Sequence, residues 1–141
     1  MTLNDLKIIG AMLYVCEGTK VRRDFRTKNG YVYSIELTNS DFKIIKIFSR
    51  FLKKIIEADW NRVKGQVFLY PDLVEKELVK YWSDASGIPI NQFQKSIILK
   101  AKNGKFTASP FGTFKLRYAC KDDFLKLQSI IKEVWRDARV V

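Results

Sequence analysis

The chain contains no histidine among its 141 residues. Because imidazole is the usual base of Ser-His and Cys-His active sites and a common zinc ligand, its absence excludes those kinds of site. Only two cysteines occur, Cys16 and Cys120, each inside an apolar stretch. They offer neither a disulfide framework nor zinc spacing, so we interpret them as reduced core residues of an intracellular, cytoplasmic protein.

Membrane and nucleotide signals are missing as well. The apolar run at residues 8–16 is nine residues long, whereas a membrane-spanning helix needs about 20. Residues 1–5 lack a basic segment and a cleavage site, so we expect no signal peptide. The glycines do not cluster as in a phosphate-binding loop. We therefore predict no membrane partner and no nucleotide cradle.

What the chain does have is positive charge. Its 26 Lys and Arg residues outnumber 15 Asp and Glu residues, giving a net charge of +11. Such an excess predicts a polyanionic partner, with DNA or RNA as the first candidates. A hydrophobic content of 47% is enough for a core, and with no linker or repeat we predict one domain over residues 1–141. A basic structural protein of an RNA–protein particle would have the same composition.

The first patterned segment is an apolar helix that ends at an acidic residue. Thr2 and Asp5 predict a capping box, and the helix over about residues 3–16 is apolar on all sides, so it should be buried on all sides. Gly18 predicts its end. Glu17 then lies at the negative end of the helix dipole, where a carboxylate is disfavoured by about 0.3–1 kcal/mol. A divalent cation would resolve that conflict; alternatively, Glu17 is solvated or paired with a nearby lysine.

Alternating and helical patterns fill the rest of the chain. Asn29-Gly30 predicts a hairpin turn between two strands. The predicted elements after the first helix are strands at 20–28 and 31–38, a helix at 40–57, a strand at 63–70, a helix at 72–86, strands at 93–102 and 113–118, and a helix from Asp122. The order α-β-β-α-β-α-β-β-α indicates an α+β fold, in which helices cover one face of an antiparallel sheet.

Cations share one side of several predicted strands, so the uncovered face of the sheet should be basic. A twisted basic face can follow a duplex groove, neutralise phosphates and contact base edges. The residues that we predict to bind DNA are Lys20, Arg22, Arg26, Lys28, Lys64, Gln66, Lys100, Lys102, Lys115 and Arg117. The alternative is that this alternating charge only solvates an exposed face.

Three short motifs carry a family resemblance. The first helix ends as Gly10-Ala11-Met12-Leu13-Tyr14-Val15-Cys16-Glu17-Gly18, a small-residue helix that closes on an acid and a glycine before a hairpin. Residues 13–20 fit the pattern LYxxEGxK, residues 38–41 read TNSD, and residues 81–89 fit YWxxxxGIP. In these features the chain resembles the small single-motif members of the LAGLIDADG homing endonuclease family.

The resemblance implies a homing-endonuclease-like fold and a homodimer in which two such helices pack together. It implies that the two terminal acids bind Mg²⁺ at the scissile phosphates and that the sheets lie on double-stranded DNA. By position, Glu17 matches the catalytic, metal-binding acid. The matching helix-contact positions are Gly10, Ala11, Leu13 and Tyr14. Met12 stands where the family usually has glycine, and Val15 where it has an earlier acid.

The sequence therefore predicts a homodimeric endonuclease that hydrolyses phosphodiester bonds with Mg²⁺. Either Lys100 or Lys115 could assist the reaction electrostatically, and the sequence does not choose between them. The alternative function is that of a DNA-binding regulator that does not cleave, or of an RNA maturase with the same fold.

Overall fold

The structure, a computed structural model, describes residues 1–23, 26, 31–100 and 110–140. The predicted Asn29-Gly30 turn and two of the predicted DNA-binding residues, Lys28 and Lys102, lie outside the described residues. Among the described residues, no helix combines the length and the apolar character that crossing a membrane requires.

The described chain is an α+β fold, as predicted. Its helices are α1 (Leu3–Glu17), α2 (Phe42–Phe51), α3 (Glu75–Ser86) and α4 (Lys121–Asp137), and its strands are β1 (Arg22–Arg23), β2 (Tyr31–Val32), β3 (Ser34–Asn39), β4 (Val63–Leu69), β5 (Ile97–Ile98) and β6 (Thr113–Ala119). The predicted strand over 31–38 is divided at Tyr33 into β2 and β3. Three short strands therefore stand between α1 and α2, where two were predicted.

Four strands form one sheet in the order β3-β6-β4-β5, while β1 and β2 form a separate antiparallel pair. In the larger sheet, β6 pairs antiparallel with both of its neighbours, but β5 runs parallel to β4. The prediction of a wholly antiparallel sheet is wrong at this edge. The reason is the connection: the chain between β4 and β5 passes through α3, and a helical crossover is what returns a strand in parallel.

The predicted strand at 93–102 is also shorter than expected. Only Ile97–Ile98 pairs continuously with β4, and Phe93 makes a single bridge to Gly65. The 3₁₀ turn Ile90–Gln92 precedes this bridge and ends in a backbone hydrogen bond from Phe93 N–H to the Ile90 carbonyl. The chain therefore reaches β4 out of register with the later pairing of β5.

One face of the sheet and the helices enclose the core. Along the central strand β6, Phe114, Leu116 and Tyr118 are buried and alternate with partly exposed residues. The Trp82 ring of α3 stacks on the Phe114 ring at 5.3 Å between centroids. This alternation leaves the other side of β6 for polar side chains.

Helix α1 begins as predicted, with a capping box between Thr2 and Asp5. Within the single chain it is buried on one side only. One side packs against α2, α4 and β3, while Ile8 remains 41% exposed and Cys16, predicted as a core residue, is exposed. The opposite side of the helix has no element of this chain, within the described residues, to cover it.

The other helix ends follow recognisable signals. Asp41 caps α2, and a π-helical turn, Leu52–Ile56, carries that helix on to Glu57 at φ +59°. Gly87, at φ +73°, ends α3 as predicted. Two details differ: α3 begins at Glu75, after its N-cap Val74, rather than at residue 72, and α4 begins at Lys121, after Cys120, rather than at Asp122.

Candidate nucleic-acid interface

A row of cations lies on the side of the sheet that faces away from the core. Lys115 and Arg117 alternate with the buried residues of β6, and the register with β4 places Lys64 opposite Arg117 and Gln66 opposite Lys115. Directly opposite residues on neighbouring strands have Cβ atoms about 4.5–5.5 Å apart. The structure thus brings together four of the predicted DNA-binding residues, and we call Lys64, Lys115 and Arg117 the sheet row.

A buried carboxylate anchors the inner side of this row. Glu36 on β3 lies opposite Arg117 and is only 1% exposed. Its Oε1 atom is 3.2 Å from Lys115 Nζ and 3.6 Å from Arg117 Nε, whereas those two side chains are 27% and 39% exposed. Charge-assisted contacts of this kind restrict the cations to one region of the face. The sequence places Glu36 on the polar side of its strand, but its role depends on the β3–β6 register, which local alternation does not reveal.

Beside the sheet row is an open pocket of about 330 Å³. Among the described residues it is lined by Asn61, Arg62, Lys64, Gln94, Arg117 and Ala119, which include three cations and no carboxylate. Arg62 Nη2 donates to the Ala119 carbonyl at 2.5 Å, and its guanidinium lies 5.9 Å from the centroid of the Tyr118 ring. The sequence analysis missed Arg62, although extending the alternation of Lys64 and Gln66 back by two residues would have found it. This lining suits an anionic group.

Two predicted DNA-binding residues are engaged elsewhere. Gln66 Nε2 donates to the Lys95 carbonyl at 2.9 Å, so its amide supports the backbone next to β5. Lys20 Nζ donates to the carbonyls of Tyr14 and Val15 at 2.9 and 2.8 Å. A cation in that place adds hydrogen bonds to carbonyls of the last helical turn, where Tyr14 O also accepts from the Gly18 N–H, and it complements the helix dipole.

The remaining predicted DNA-binding residues are not aligned with the sheet row. Lys100 is exposed just beyond the end of β5. Arg22 belongs to the separate β1–β2 pair, and Arg26 is an exposed turn residue. The structure therefore divides the predicted set into a compact group on β4 and β6 and residues that lie apart from it.

Glu17 is exposed at the last position of α1. Gly18 ends the helix, as predicted, but in an extended conformation at φ −77° that any residue can adopt. Glycine is needed at position 18 because the Tyr14 ring lies so close: a Cβ atom there would be 2.3 Å from Cδ2 of Tyr14. The Tyr14 hydroxyl donates to the Thr19 carbonyl, which fixes the ring over the turn that follows Glu17.

The end of α1 does not provide a complete metal site in one chain. No group of three or more acidic or cysteine side chains that could hold a metal ion occurs among the described residues. The Lys20 ammonium group, bonded to the Tyr14 and Val15 carbonyls, also lies at the end of the helix that carries Glu17. The described residues of one chain therefore provide no complete set of donors for Mg²⁺ around Glu17.

The predicted helix contacts are largely used inside the chain. Gly10, Ala11 and Tyr14 are buried, and a Cβ atom on Gly10 would lie 2.1 Å from Cγ of Phe51. The Tyr14 ring stacks on the Phe48 ring at 6.0 Å between centroids. These three residues therefore pack against α2 and the core of their own chain, and the predicted contact Leu13 is half-buried against the same core.

Comparisons with known proteins add no assignment to this geometry. No family model matches the chain, and no curated protein is significantly similar to it.

Proposed function

We propose that the protein binds double-stranded DNA through the open face of its sheet. The observation that carries the proposal is the sheet row, Lys64, Lys115 and Arg117, beside a pocket that has three cations and no carboxylate in its lining. These cations stand on hydrogen-bonded strands, so their spacing is set by the sheet and not by a loop. A polyanionic partner is also what the net charge of +11 favours.

The arrangement suits a phosphate backbone in particular. Each phosphate that a lysine or arginine neutralises releases condensed counterions, and this release supplies much of the affinity for a duplex. The guanidinium of Arg117 can also form two parallel hydrogen bonds to a phosphate or to a guanine edge. Because Gln66 is bonded to the Lys95 carbonyl, we assign base contacts to the arginines and not to Gln66.

Binding to a duplex oligonucleotide at several salt concentrations tests this proposal. Lys64 is the cleanest residue to change because it is exposed and makes no ion pair within the described residues. Lys64→Ala should lower the slope of log K against log salt by about 0.9, the contribution of one phosphate contact. The matched control is Lys80→Ala on α3, which should leave the slope unchanged. Equal slopes for all three proteins would contradict the proposal.

We also propose, from the resemblance to LAGLIDADG homing endonucleases, that a dimer cleaves the bound DNA. Because one chain presents only one carboxylate at the end of α1, a complete site would need Glu17 from each of two chains. The expected result is Mg²⁺-dependent nicking or cleavage of long DNA, lost in Glu17→Gln while duplex binding persists. Glu77→Gln, an exposed acid on α3, is the control and should cleave normally.

A non-cleaving DNA-binding regulator is the second candidate. Two observations favour it: Lys20 occupies the carbonyls beside Glu17, and Gly10 is packed against Phe51 of its own chain. This function predicts equal duplex affinity with and without Mg²⁺ and no cleavage by the unmodified protein. The same two measurements therefore separate the candidates.

A further inference from the structure

A second basic surface lies on the helical side of the molecule. The exposed side of α2 and of the turn that follows it carries five cations, Lys43, Lys46, Arg50, Lys53 and Lys54, which we call the α2 ridge. The opposite side of α2 places Ile45 and Phe48 in the core. Since α2 covers the buried face of the sheet, the α2 ridge faces away from the sheet row. No carboxylate lies within ion-pair distance of these cations in the described part of the chain.

The α2 ridge borders a small pocket of about 170 Å³ at the end of α3. Its lining consists of Lys46, Ser49, Arg50, Lys53, Asp84, Ala85, Ser86 and Gly87. Three cations therefore stand against a single carboxylate. Pockets for drug-sized ligands usually measure about 300–1,000 Å³, so this one suits a small charged group.

Two serine residues that line this pocket differ in the hydrogen bonding of their hydroxyl groups. The Ser86 hydroxyl donates to the Trp82 carbonyl at 2.7 Å and accepts from the Ile88 N–H at 3.1 Å. Ser49 is 3% exposed, and its Oγ atom has no hydrogen-bond partner among the described residues. A buried hydroxyl without a partner is unfavourable. An oxyanion in the pocket would accept the hydrogen bond that Ser49 does not make within the protein.

The two lysines of the pocket lie over aromatic rings and make no ion pair with an acid among the described residues. Lys53 Nζ lies 4.4 Å from the centroid of the Trp60 ring, and Lys46 Nζ lies 5.4 Å from that of Phe42. Trp60 is itself fixed, because its Nε1–H donates to the Gly87 carbonyl at 2.9 Å. A ring attracts an ammonium group without accepting its N–H bonds in the way a carboxylate does. Both lysines therefore keep their N–H donors for a ligand.

We propose that this pocket binds a phosphate group, with Ser49 Oγ donating a hydrogen bond and Lys46, Arg50 and Lys53 neutralising the charge. The site is separate from the sheet row and does not depend on the proposed binding of DNA there. A phosphate group could come from free phosphate or from the backbone of a nucleic acid, along which Lys43 and Lys54 would make further contacts.

Calorimetric titration with inorganic phosphate tests the site. Ser49→Ala and Lys53→Gln should each weaken phosphate binding by about tenfold, the effect of losing one hydrogen bond or charge at an anion. Their matched controls, Ser129→Ala and Lys80→Gln, are exposed residues outside the pocket and should bind as the unmodified protein does. Asp84→Asn should tighten binding, because it removes the one opposing charge. Equal phosphate affinity in all of these proteins would overturn the proposal.

Thermal unfolding gives an independent measurement. Without phosphate, Ser49→Ala should unfold at the same temperature as the unmodified protein or at a higher one, because an unpartnered buried hydroxyl has been removed. A clear fall in that temperature would show that the hydroxyl has a structural partner and would overturn the role assigned to it.

Titration with a duplex oligonucleotide, carried out in Lys64→Ala protein, identifies the source of the phosphate. If Ser49→Ala and Lys53→Gln also weaken duplex binding in that background, the site contacts a nucleic-acid backbone. If they weaken only the binding of inorganic phosphate, the site takes free phosphate. Both results support the site. If the two substitutions weaken neither duplex binding nor phosphate binding, the proposal is overturned.

Discussion

At the scale of single residues, close approach decides where glycine is needed in α1. Gly10 and Gly18 both have ordinary backbone angles for their positions, yet each lies where a Cβ atom would overlap an aromatic ring, Phe51 in one case and Tyr14 in the other. The sequence shows that glycine is present but not which ring it makes room for, because the ring belongs to the tertiary packing.

Gly10→Ala should destabilise the protein by about 1–3 kcal/mol, the usual cost of overpacking a core. The added methyl would lie 2.1 Å from Cγ and 2.7 Å from Cβ of Phe51, atoms too close to the backbone of α2 to swing aside. This loss should exceed the gain of about 1 kcal/mol in helix propensity. Urea unfolding measures the change, and Cys16→Ala, at an exposed position of the same helix, is the control. A Gly10→Ala protein as stable as its parent would show that α1 and α2 can separate at no cost.

Glu36→Gln should lower the free energy of unfolding by about 1–3 kcal/mol, as expected when a buried charged partner of two cations is lost. The amide would keep the shape of the side chain but leave Lys115 and Arg117 without their shared negative charge. Glu77→Gln, at an exposed site, should change stability by less than about 0.5 kcal/mol. Chemical unfolding of the two variants side by side makes the comparison, and equal stability would mean that Glu36 does not anchor the sheet row.

At the scale of elements, the junction between β6 and α4 is fixed by a tyrosine hydroxyl. Tyr118 donates to Asp123 Oδ2 at 2.5 Å and accepts from the Asp59 N–H at 3.1 Å. Burial first, and the hydrogen bond to Asp123 second, raise the pKa of Tyr118 well above its usual value. The folded protein therefore keeps this hydroxyl protonated at a pH where the unfolded chain has lost the proton.

The consequence is a loss of stability in alkali. The stabilisation from Tyr118 is complete below about pH 10, the ordinary tyrosine pKa, and declines as the pH rises above it. Tyr118→Phe should cost about 1–2 kcal/mol at neutral pH, and the difference between the two proteins should shrink from pH 10 upward. Unfolding curves between pH 8 and pH 11 measure that difference. A constant difference over the whole range would contradict the raised pKa.

Sequence patterns predicted elements better than their pairing. Helical spacing located α2, Gly87 located the end of α3, and alternation located β4 and β6, because each signal is local. The parallel pairing of β5 and the break at Tyr33 depend on which strands become neighbours, and a period of two identifies a face without identifying a partner. The candidate site divides in the same way: alternation predicted the sheet row, while the buried anchor Glu36 required the register.

At the scale of the whole molecule, two groups of cations, the sheet row and the α2 ridge, lie on opposite surfaces. Their separation means that one chain could contact two anionic groups at once without the contacts interfering. It also means that net charge alone, which the sequence gives directly, does not tell how many anionic ligands the protein holds.

The proposed cleavage predicts a dimer at this scale. Sedimentation velocity at moderate salt should give the mass of two chains, since the hydrolytic site would need Glu17 from both. A monomer, alone and on duplex DNA, would contradict cleavage by paired chains but would leave binding by the sheet row intact. The salt-slope experiment with Lys64→Ala decides that second question separately.

The central position of β6 has a kinetic consequence. Strands β3 and β4 do not pair with each other; each pairs with β6, which begins only at Thr113. During synthesis most of the chain is therefore made before the middle of the sheet exists, and until then β3 and β4 expose unpaired edges. Such edges promote association between unfinished chains, and contacts distant in sequence slow folding. We expect folding to be completed late, when β6 pairs with β3 on one side and with β4 on the other.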